Sequence, residues 1–190
     1  MLALQGAFAL HQQALERLRV ANLAVRRPRH LDECDALIVP GGESTTMSKL
    51  LDSSGLFEAI SVRLDAAMPV LGTCAGAILL ASTVFDGRAD QRCFGAIDIG
   101  VRRNGYGRQI DSFETDIDLG PHADAPDVPF HAVFIRAPII ESVGPDVETI
   151  ATVGDRPVLC EAGTVSVATF HPELGGDDRL HKRFIERHLS

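Results

Sequence analysis

The sequence predicts an α/β fold with a largely parallel central sheet. Short apolar or β-branched runs alternate with stretches whose apolar residues recur at helical spacing, which is the pattern of βαβ units. Residues 36–39 and 69–71 have the length and composition of buried strands, and each is followed by a glycine-containing segment that breaks the chain. After residue 88 the pattern changes, and we predict short strands separated by turns from residue 94 to residue 169.

The first half of the chain contains eight predicted elements. Phe8, Leu15 and Leu18 stand among polar residues, as in an amphipathic helix, and residues 75–82 are apolar all round, as in a buried helix. We predict strands at residues 1–4, 23–26, 36–39 and 69–71, and helices at residues 8–21, 44–51, 56–67 and 75–82.

The second half is predicted to consist mainly of strands. Residues 112–117 and 165–170 nearly alternate apolar and polar side chains, as half-buried strands do. Residues 119–129 are rich in proline and aspartate and are the best candidate for a surface loop. A charged amphipathic helix is expected at residues 177–189. Turns are expected at three dipeptides, Asn104-Gly105, Gly120-Pro121 and Gly144-Pro145.

The composition is that of an acidic, globular chain. With 190 residues, 45% of them apolar, the chain can bury a sizeable core and is expected to form one domain. Its 18 Lys and Arg residues face 26 Asp and Glu residues, so the formal net charge is -8. Nucleic-acid grooves and anionic membrane surfaces both favour clustered Lys and Arg. We therefore expect neither a nucleic-acid partner nor a membrane partner.

The cysteines and histidines suggest no disulfide scaffold and no metal site. Four cysteines are scattered without a Cys-x-x-Cys pair, so reduced thiols in a cytoplasmic protein are expected. The chain has no apolar run of about 18 residues, and its first residues lack the basic region of a signal peptide. Six histidines show no metal-ligand spacing and are interpreted as solvated or core residues: His11, His30, His122, His131, His181 and His188.

The segment Gly72-Thr73-Cys74-Ala75-Gly76 is the first candidate for chemistry, because it lies between a predicted buried strand and a helix. A nucleophile there sits on a sharp turn, with its side chain exposed above the sheet edge, and the glycines permit close packing of helix and strand. The helix N-terminus favours the reactive thiolate, and its N–H groups can stabilise an oxyanion. The alternative is a buried, inert cysteine.

The segment His171-Pro172-Glu173 follows the predicted strand 165–170 directly. Functional residues of an open α/β sheet lie at strand ends, where a histidine can take the thiol proton and return it to a leaving amine. A carboxylate two residues later can hold the imidazole in the required tautomer. The alternative is an exposed turn. The occurrence of this segment together with Gly72–Gly76, each after a strand, favours a Cys74–His171 pair with Glu173 behind it.

Two further segments are candidates for binding. Pro40–Thr46 follows a predicted strand and opens a helix, and it lacks the Gly-Lys-Ser/Thr of a phosphate loop, so we interpret Gly42 as an oxyanion donor. An ordinary helix cap by Glu43 or Ser44 is the alternative. Arg102–Gln109 places three arginines in an acidic protein and could bind a substrate carboxylate, or could be a solvated hairpin.

Together these segments resemble the glutaminase subunits of pyridoxal 5′-phosphate synthase, a branch of the class I, triad-type glutamine amidotransferases. Gly-Thr-Cys-Ala-Gly and His-Pro-Glu are shared with many glutaminases, whereas Pro-Gly-Gly-Glu-Ser-Thr, Arg103–Glu114 and Phe134–Pro138 are specific to this branch. The similar segments occur in the family's order and cover nearly the whole chain: Leu4–Phe8, Leu37–Met47, Gly72–Gly76, Arg103–Glu114, Phe134–Pro138 and Phe170–Leu174.

The resemblance implies a flavodoxin-like, three-layer α/β sandwich with a mixed, mainly parallel sheet, forming one domain over residues 1–190. It implies that Cys74 attacks the side-chain amide of L-glutamine, that His171 moves protons, and that a γ-glutamyl thioester forms. Gly42 and Ala75 would form the oxyanion hole. The positions that match the family's glutamine-binding residues are Gly42, Glu43, Ser44, Arg103, Ile135 and Arg136.

The resemblance also implies a partner. Ammonia would pass to a (β/α)8-barrel synthase subunit within a large hetero-oligomer, and this subunit would build pyridoxal 5′-phosphate from ribose 5-phosphate and glyceraldehyde 3-phosphate. The glutaminase would need no metal or organic cofactor and would be poorly active until the partner docks. One departure is that only three residues precede Leu4, where family members have several more, so a short first strand is expected.

Two alternative functions fit the sequence less well. A cysteine peptidase or deglycase on a similar sheet would have histidine directly after the nucleophile, and Ala75 stands there instead. A binding module without catalysis would be expected to lack Cys74, His171 or Glu173, and all three are present.

Overall fold

The computed structural model describes residues 1–103, 112–120, 124–125 and 127–189. The helices are α1 (Phe8–Arg17), α2 (Ser44–Ser53), α3 (Leu56–Asp65), α4 (Ala75–Leu80) and α5 (Arg179–His188), with a 3-10 helix at Pro28–Glu33. The strands are β1 (Leu37–Val39), β2 (Val70–Thr73), β3 (Ala81–Val84), β4 (Ile97–Arg102), β5 (Phe113–Ile117), β6 (Phe130–Phe134), β7 (Ile139–Val143), β8 (Glu148–Val153), β9 (Arg156–Ala162) and β10 (Val165–Ala168). Within the described residues, no helix combines the length and the apolar character needed to cross a membrane.

The largest sheet has the strand order β1-β2-β10-β9-β8. Strand β2 pairs in parallel with β1 and with β10, whereas β9 is antiparallel to both β10 and β8. Beyond β1, Leu2 forms an isolated parallel bridge with Val25 and donates its backbone N–H to Ile38 O at 2.9 Å. The sheet is therefore mixed, and its parallel half is the half that presents strand ends to the candidate site. Strands β3-β4-β7 and β5-β6 form two smaller sheets.

Alternation along the parallel strands separates two layers of helices. Leu37, Val39 and Val70 belong to a core that includes residues of α2, α3 and α4. Ile38, which lies between Leu37 and Val39, and Leu71, which follows Val70, belong to a different cluster that includes residues of α1 and α5. Successive side chains of a strand point to opposite faces, so the sheet lies between α2–α4 on one side and α1 with α5 on the other. This three-layer arrangement agrees with the predicted α/β sandwich.

Several predicted boundaries differ from the structure. The helix predicted for residues 8–21 ends at Arg17, because Arg19 adopts a positive φ of 59° and Val20 N–H bonds back to Leu15 O at 2.9 Å. The strand predicted for residues 23–26 is reduced to the bridge at Val25. The helix predicted for residues 75–82 ends at Leu80, where β3 begins.

The second half also shows both agreement and difference. Strands β5 and β10 lie within the two alternating segments, and α5 lies within residues 177–189. Strand β10 ends two residues earlier than predicted, at Ala168. The Asn104-Gly105 turn, Pro121 of the second turn, and part of the predicted loop 119–129 lie outside the described residues.

Candidate active site

Cys74 lies at the turn from β2 to α4. Its backbone has φ 49° and ψ -104°, an unusual conformation for a residue with a side chain, and its N–H donates to Ala168 O at 2.8 Å. This hydrogen bond joins the turn to the end of β10. At Gly76 a Cβ would overlap Val39 O, so glycine is what allows α4 to pack against β1. The sharp turn predicted from Gly72–Gly76 is therefore present.

The prediction of an exposed thiol was wrong, since Cys74 is only 6% exposed. The Pro-Gly-Gly segment covers it: a Cβ on Gly41 would lie 3.3 Å from Cys74 Cβ and 2.5 Å from Cε1 of His171. The thiol is instead reached through a cavity in front of it. A covered nucleophile is protected from bulk solvent, and electrostatic interactions with neighbouring groups are correspondingly stronger.

His171 and Glu173 lie beside Cys74 at the end of β10. The His171 backbone N–H donates to Val133 O at 2.8 Å, which fixes the segment against β6. Its Nδ1 lies 2.8 Å from Glu173 Oε1, and its side chain lines the same cavity as Cys74 and interacts with it electrostatically. The structure thus brings the three residues predicted as a triad together, with the carboxylate buried and hydrogen-bonded behind the imidazole.

The electrostatics of this chain favour a protonated imidazole. Burial alone would lower the pKa of His171, but its hydrogen bonds to Cys74 and Glu173 outweigh burial and raise the pKa to about 10. Burial would raise the pKa of Glu173, but the contacts with His171 and His11 hold it below its usual value. The arrangement can therefore hold a proton on His171 at neutral pH and balance it with the negative charge of Glu173.

A cavity of about 340 Å³ opens in front of Cys74 and His171. This volume is at the lower end of the range for small-molecule sites. Cys74, His171, Gln5 and Ile78 line this cavity. It is also lined by all six residues predicted to bind glutamine: Gly42, Glu43, Ser44, Arg103, Ile135 and Arg136. Segments that are far apart in sequence therefore converge on one volume that has room for a small polar molecule.

The Arg103 guanidinium donates hydrogen bonds to neutral side chains, and a carboxylate accepts from its backbone N–H. Its Nη1 donates to Thr45 Oγ1 at 2.7 Å and to Gln91 Oε1 at 2.9 Å, and its backbone N–H donates to Asp86 Oδ1 at 2.7 Å. Its Nε is buried and has no hydrogen-bond partner among the described residues. An arginine fixed in this way at the wall of a cavity is suited to bind a carboxylate. The rest of the predicted loop, residues 104–109, lies outside the described residues.

Glu43 caps α2, as the alternative interpretation of the Pro-Gly-Gly segment proposed. Its carboxylate accepts hydrogen bonds from the backbone N–H groups of Thr45 at 3.1 Å and Thr46 at 2.6 Å. Partial burial would raise its pKa, but these bonds and that from the Thr46 hydroxyl lower it to about 2. The Glu43 backbone N–H donates to Gln5 Oε1 at 3.0 Å. Capping therefore fixes the part of the cavity wall that Glu43 forms.

Arg136 follows β6 and adopts a positive φ of 46°. Such a conformation costs energy in a residue with a side chain and is concentrated at functional sites. Ile135 beside it is 39% exposed, and both residues line the cavity. The structure therefore presents this strand end to the same volume as Cys74.

Comparison with known proteins identifies the family. The model of the SNO glutamine amidotransferase family matches residues 1–190. The chain belongs to the SNO glutamine amidotransferase family. The sequence-based assignment to glutamine amidotransferases is thus confirmed.

Relatives of this glutamine amidotransferase match over nearly their full length. A protein of Herpetosiphon aurantiacus is 50% identical over 187 residues, covering 97% of each chain. A protein of Nocardioides sp. is 48% identical over 189 residues, covering 97% of this chain and 92% of the relative. Both are named pyridoxal 5′-phosphate synthase subunit PdxT.

Solved structures support the fold of this glutamine amidotransferase. A crystal structure of a glutamine amidotransferase is 44% identical, with a TM-score of 0.90 over 97% of this chain and 95% of that chain. PurLQS from Thermotoga maritima matches with a TM-score of 0.66 over 100% of this chain and 94% of that chain. At 18% identity, the second likeness concerns the fold alone.

Sequence reasoning missed several residues around the site of this glutamine amidotransferase. Gln5 lies in a segment that carried the family resemblance but was assigned no role, and it lines the cavity. Gln91 holds Arg103 from 12 residues away, and no local pattern marks it. His11 was interpreted as a solvated or core residue, and its Nε2 lies 3.2 Å from Glu173 Oε2. Among the residues that the structure describes, no three His, Cys, Asp or Glu side chains are arranged to hold a metal ion.

His171→Asn is expected to slow alkylation of Cys74 by a glutamine-like electrophile by about 100-fold or more, the scale of general-base catalysis. Asparagine cannot hold the proton that balances the thiolate. The rate of Cys74 modification at neutral pH, followed by peptide mass spectrometry, measures this effect. An unchanged rate would show that another group serves as the base.

Proposed function

We propose that this protein hydrolyses L-glutamine to L-glutamate and ammonia as a single glutaminase domain over residues 1–190. The observation that supports this most directly is the chain Cys74–His171–Glu173, which faces a cavity lined by the predicted glutamine-binding residues. Membership in the glutamine amidotransferase family agrees with this chemistry.

In the proposed reaction, the thiolate of Cys74 attacks the side-chain amide carbon of glutamine. The negative charge that develops on the amide oxygen is stabilised by backbone N–H groups of Ala75 and Gly42. Ala75 is the first residue of α4, so its N–H has no acceptor within the helix. The imidazolium of His171 donates its proton to the departing nitrogen, and ammonia leaves a γ-glutamyl thioester on Cys74.

Water then attacks the thioester. His171, now neutral, takes a proton from the water, the carbon–sulfur bond breaks, and glutamate is released with Cys74 restored to the thiolate. Glu173 stays ionised throughout and keeps the imidazole oriented with Nδ1 toward the carboxylate. The raised pKa of His171 suits a group that must hold a proton until the amine leaves.

Glutamine binding is proposed to use both ends of the cavity. The α-carboxylate pairs with the guanidinium of Arg103, which lines the cavity. Gly42, Glu43, Ser44, Ile135 and Arg136 complete the walls. Ser44 is 4% exposed and lies at the start of α2, close to the predicted oxyanion donor.

The ammonia is proposed to serve pyridoxal 5′-phosphate synthesis. Relatives about half identical to this chain are named subunits of pyridoxal 5′-phosphate synthase, which supports a synthase partner. We propose that this partner is a (β/α)8-barrel subunit, that the two form a large hetero-oligomer, and that the complex is cytoplasmic. No cofactor is assigned to the glutaminase itself.

The test is glutamate release from glutamine, measured with and without the matching synthase subunit. Hydrolysis that rises strongly when the partner is added is the expected result. Hydrolysis unchanged by the partner would contradict the place in pyridoxal 5′-phosphate synthesis while leaving the glutaminase intact. No hydrolysis in either condition, with a folded protein, would contradict the glutaminase itself.

A further inference from the structure

A buried chain of side chains continues beyond Glu173 into the layer formed by α1 and α5. His11, on α1, is 0% exposed, and its Nε2 lies 3.2 Å from Glu173 Oε2 and 3.2 Å from Thr73 Oγ1. Its Nδ1 lies 2.8 Å from Nε2 of His181, which is also 0% exposed and belongs to α5. His171 and His11 therefore occupy opposite oxygens of the same carboxylate.

His11 and His181 are both neutral near pH 7. Burial lowers the pKa of His11 to about 3 despite the opposing charge of Glu173, and burial lowers the pKa of His181 to about 4. A neutral imidazole has one N–H and one acceptor nitrogen, so each ring offers a single donor. The nitrogen that carries the proton in each ring therefore determines the direction of the hydrogen bonds that link these side chains.

Two observations decide the tautomers. An ionised carboxylate can only accept, so a proton on Nε2 of His11 faces Glu173 favourably, whereas a lone pair there would face another lone pair. When Nε2 of His11 carries the proton, Nδ1 of His11 accepts a hydrogen bond from Nε2–H of His181. Nδ1 of His181 then carries no proton and can only accept. This nitrogen is buried without a partner among the described residues, and the opposite assignment would leave a buried N–H there instead.

The Nε2–H of His11 lies near two oxygen atoms but is hydrogen-bonded to only one of them. It meets the geometry of a hydrogen bond to Thr73 Oγ1, whereas Glu173 Oε2 lies at the same distance of 3.2 Å but outside hydrogen-bond alignment. The contact with the carboxylate is therefore one of charge and dipole. His11 thus links the carboxylate behind the base to the residue that precedes the nucleophile.

We propose that His11 is a positioning residue of the active site, which holds the Glu173 carboxylate ionised and directed at His171 through its Nε2–H. The proposal deepens the proposed function and rests on the Cys74–His171–Glu173 assignment. His11 is not among the residues that line the cavity, so we assign it a role through Glu173 and Thr73 rather than through contact with the substrate. It also couples the site to α1 and α5, the helical layer on the opposite side of the sheet from α4.

The effect on pH dependence follows from the charges around this chain. When the Nε2–H is lost, the ionised form of Glu173 is less favoured, and the protonated form of His171 loses part of its balancing charge. The acid limb of Cys74 alkylation is therefore expected to move to higher pH. The titratable and charged groups that face Glu173, His11 and His181 are His171, the Met1 ammonium, Asp178 and Arg17.

A matched pair of variants tests the proposal. His11→Gln can keep an N–H near the position of Nε2, whereas His11→Asn keeps one only near Nδ1 and removes the donor that faces Glu173. We expect His11→Asn to slow glutamine hydrolysis and neutral-pH alkylation of Cys74 by about 10- to 100-fold, the size of loss that follows removal of a group that orients a functional side chain. We expect His11→Gln to restore most of the rate and the wild-type pH profile.

The readout is the pH profile of iodoacetamide modification at Cys74, followed by peptide mass spectrometry and needing no glutamine turnover. A His11→Asn profile that superimposes on the wild type overturns the proposal, as does a His11→Gln profile shifted as far as that of His11→Asn. Glu173→Gln serves as the reference. If it also leaves alkylation unchanged, the triad assignment fails; if it slows alkylation and His11→Asn does not, only the role of His11 fails.

Discussion

Cys74→Ala is expected to abolish glutamine hydrolysis while the protein stays folded. The thiolate is the only group proposed to form a covalent bond with glutamine, and removing a nucleophile from a triad lowers turnover by roughly 10⁴-fold or more. The lost sulfur leaves little unfilled space, because Cys74 borders an open cavity. Glutamate release measured with the synthase subunit present gives the rate, and circular dichroism with urea unfolding gives the fold.

Cys34→Ala is the matched control for this change. Cys34 is half-buried, and its thiol donates to His30 O at 3.1 Å, away from the candidate site. Hydrolysis in this variant is expected to stay within about twofold of the wild type, as for changes away from functional groups. Turnover retained by Cys74→Ala would remove Cys74 from its proposed role.

The backbone of Cys74 adds a second comparison. Alanine keeps the Cβ and therefore the strain of φ 49°, whereas glycine adopts positive φ at little cost. Cys74→Gly is expected to be equally inactive but more stable than Cys74→Ala by about 1 kcal/mol in urea unfolding, since strained positions cost about 1–3 kcal/mol. Equal or lower stability of the glycine variant would argue that this turn stores no strain.

Local sequence patterns were sufficient to predict the triad. Gly76 must be small to let α4 approach Val39, and the segment between strand and helix therefore has a recognisable composition. His171 and Glu173 are two residues apart, so their contact is also encoded locally. The fold class followed for the same reason, because buried strands and amphipathic helices each depend on residues close in sequence.

Contacts between distant segments could not be predicted in the same way. His11 and His181 are separated by 170 residues, and neither has a neighbour that marks it as part of a polar chain. Each histidine taken alone is compatible with a solvated or a core position. Whether Cys74 is exposed likewise depends on how Gly41 packs over it, which only the folded arrangement determines.

Gly6→Ala is expected to reduce both activity and stability, because this residue joins two segments that form the site. Gly6 has φ 93°, and a Cβ there would overlap the carbonyl oxygen of Gly41 and lie 3.3 Å from Gly42 Cα. The segments are further joined by a hydrogen bond from Ala7 N–H to Gly41 O at 3.3 Å. An alanine must therefore push the Pro-Gly-Gly segment away from its place over Cys74.

The displacement is expected to lower kcat/KM for glutamine by about 100-fold, since a misplacement of about 1 Å in a site has effects of this size. The free energy of unfolding should fall by about 2–4 kcal/mol, combining overlap with a conformation that disfavours side chains. Gly154→Ala is the control: its φ is 58° and no atom lies within 4 Å of the added Cβ. This control should lose only about 1–2 kcal/mol and leave kcat/KM unchanged.

The difference between the two glycine variants separates backbone conformation from contact. If Gly6→Ala lost no more activity than Gly154→Ala, the contact between Gly6 and Gly41 would have no role in shaping the cavity. If Gly6→Ala lowered the free energy of unfolding but not kcat/KM, displacement of the Pro-Gly-Gly segment would leave Gly42 in place. The expected loss of both would mean that the N-terminal Leu-Gln-Gly segment and the Pro-Gly-Gly segment act together, because the wall that contains Gly42 and Gln5 is built from the two.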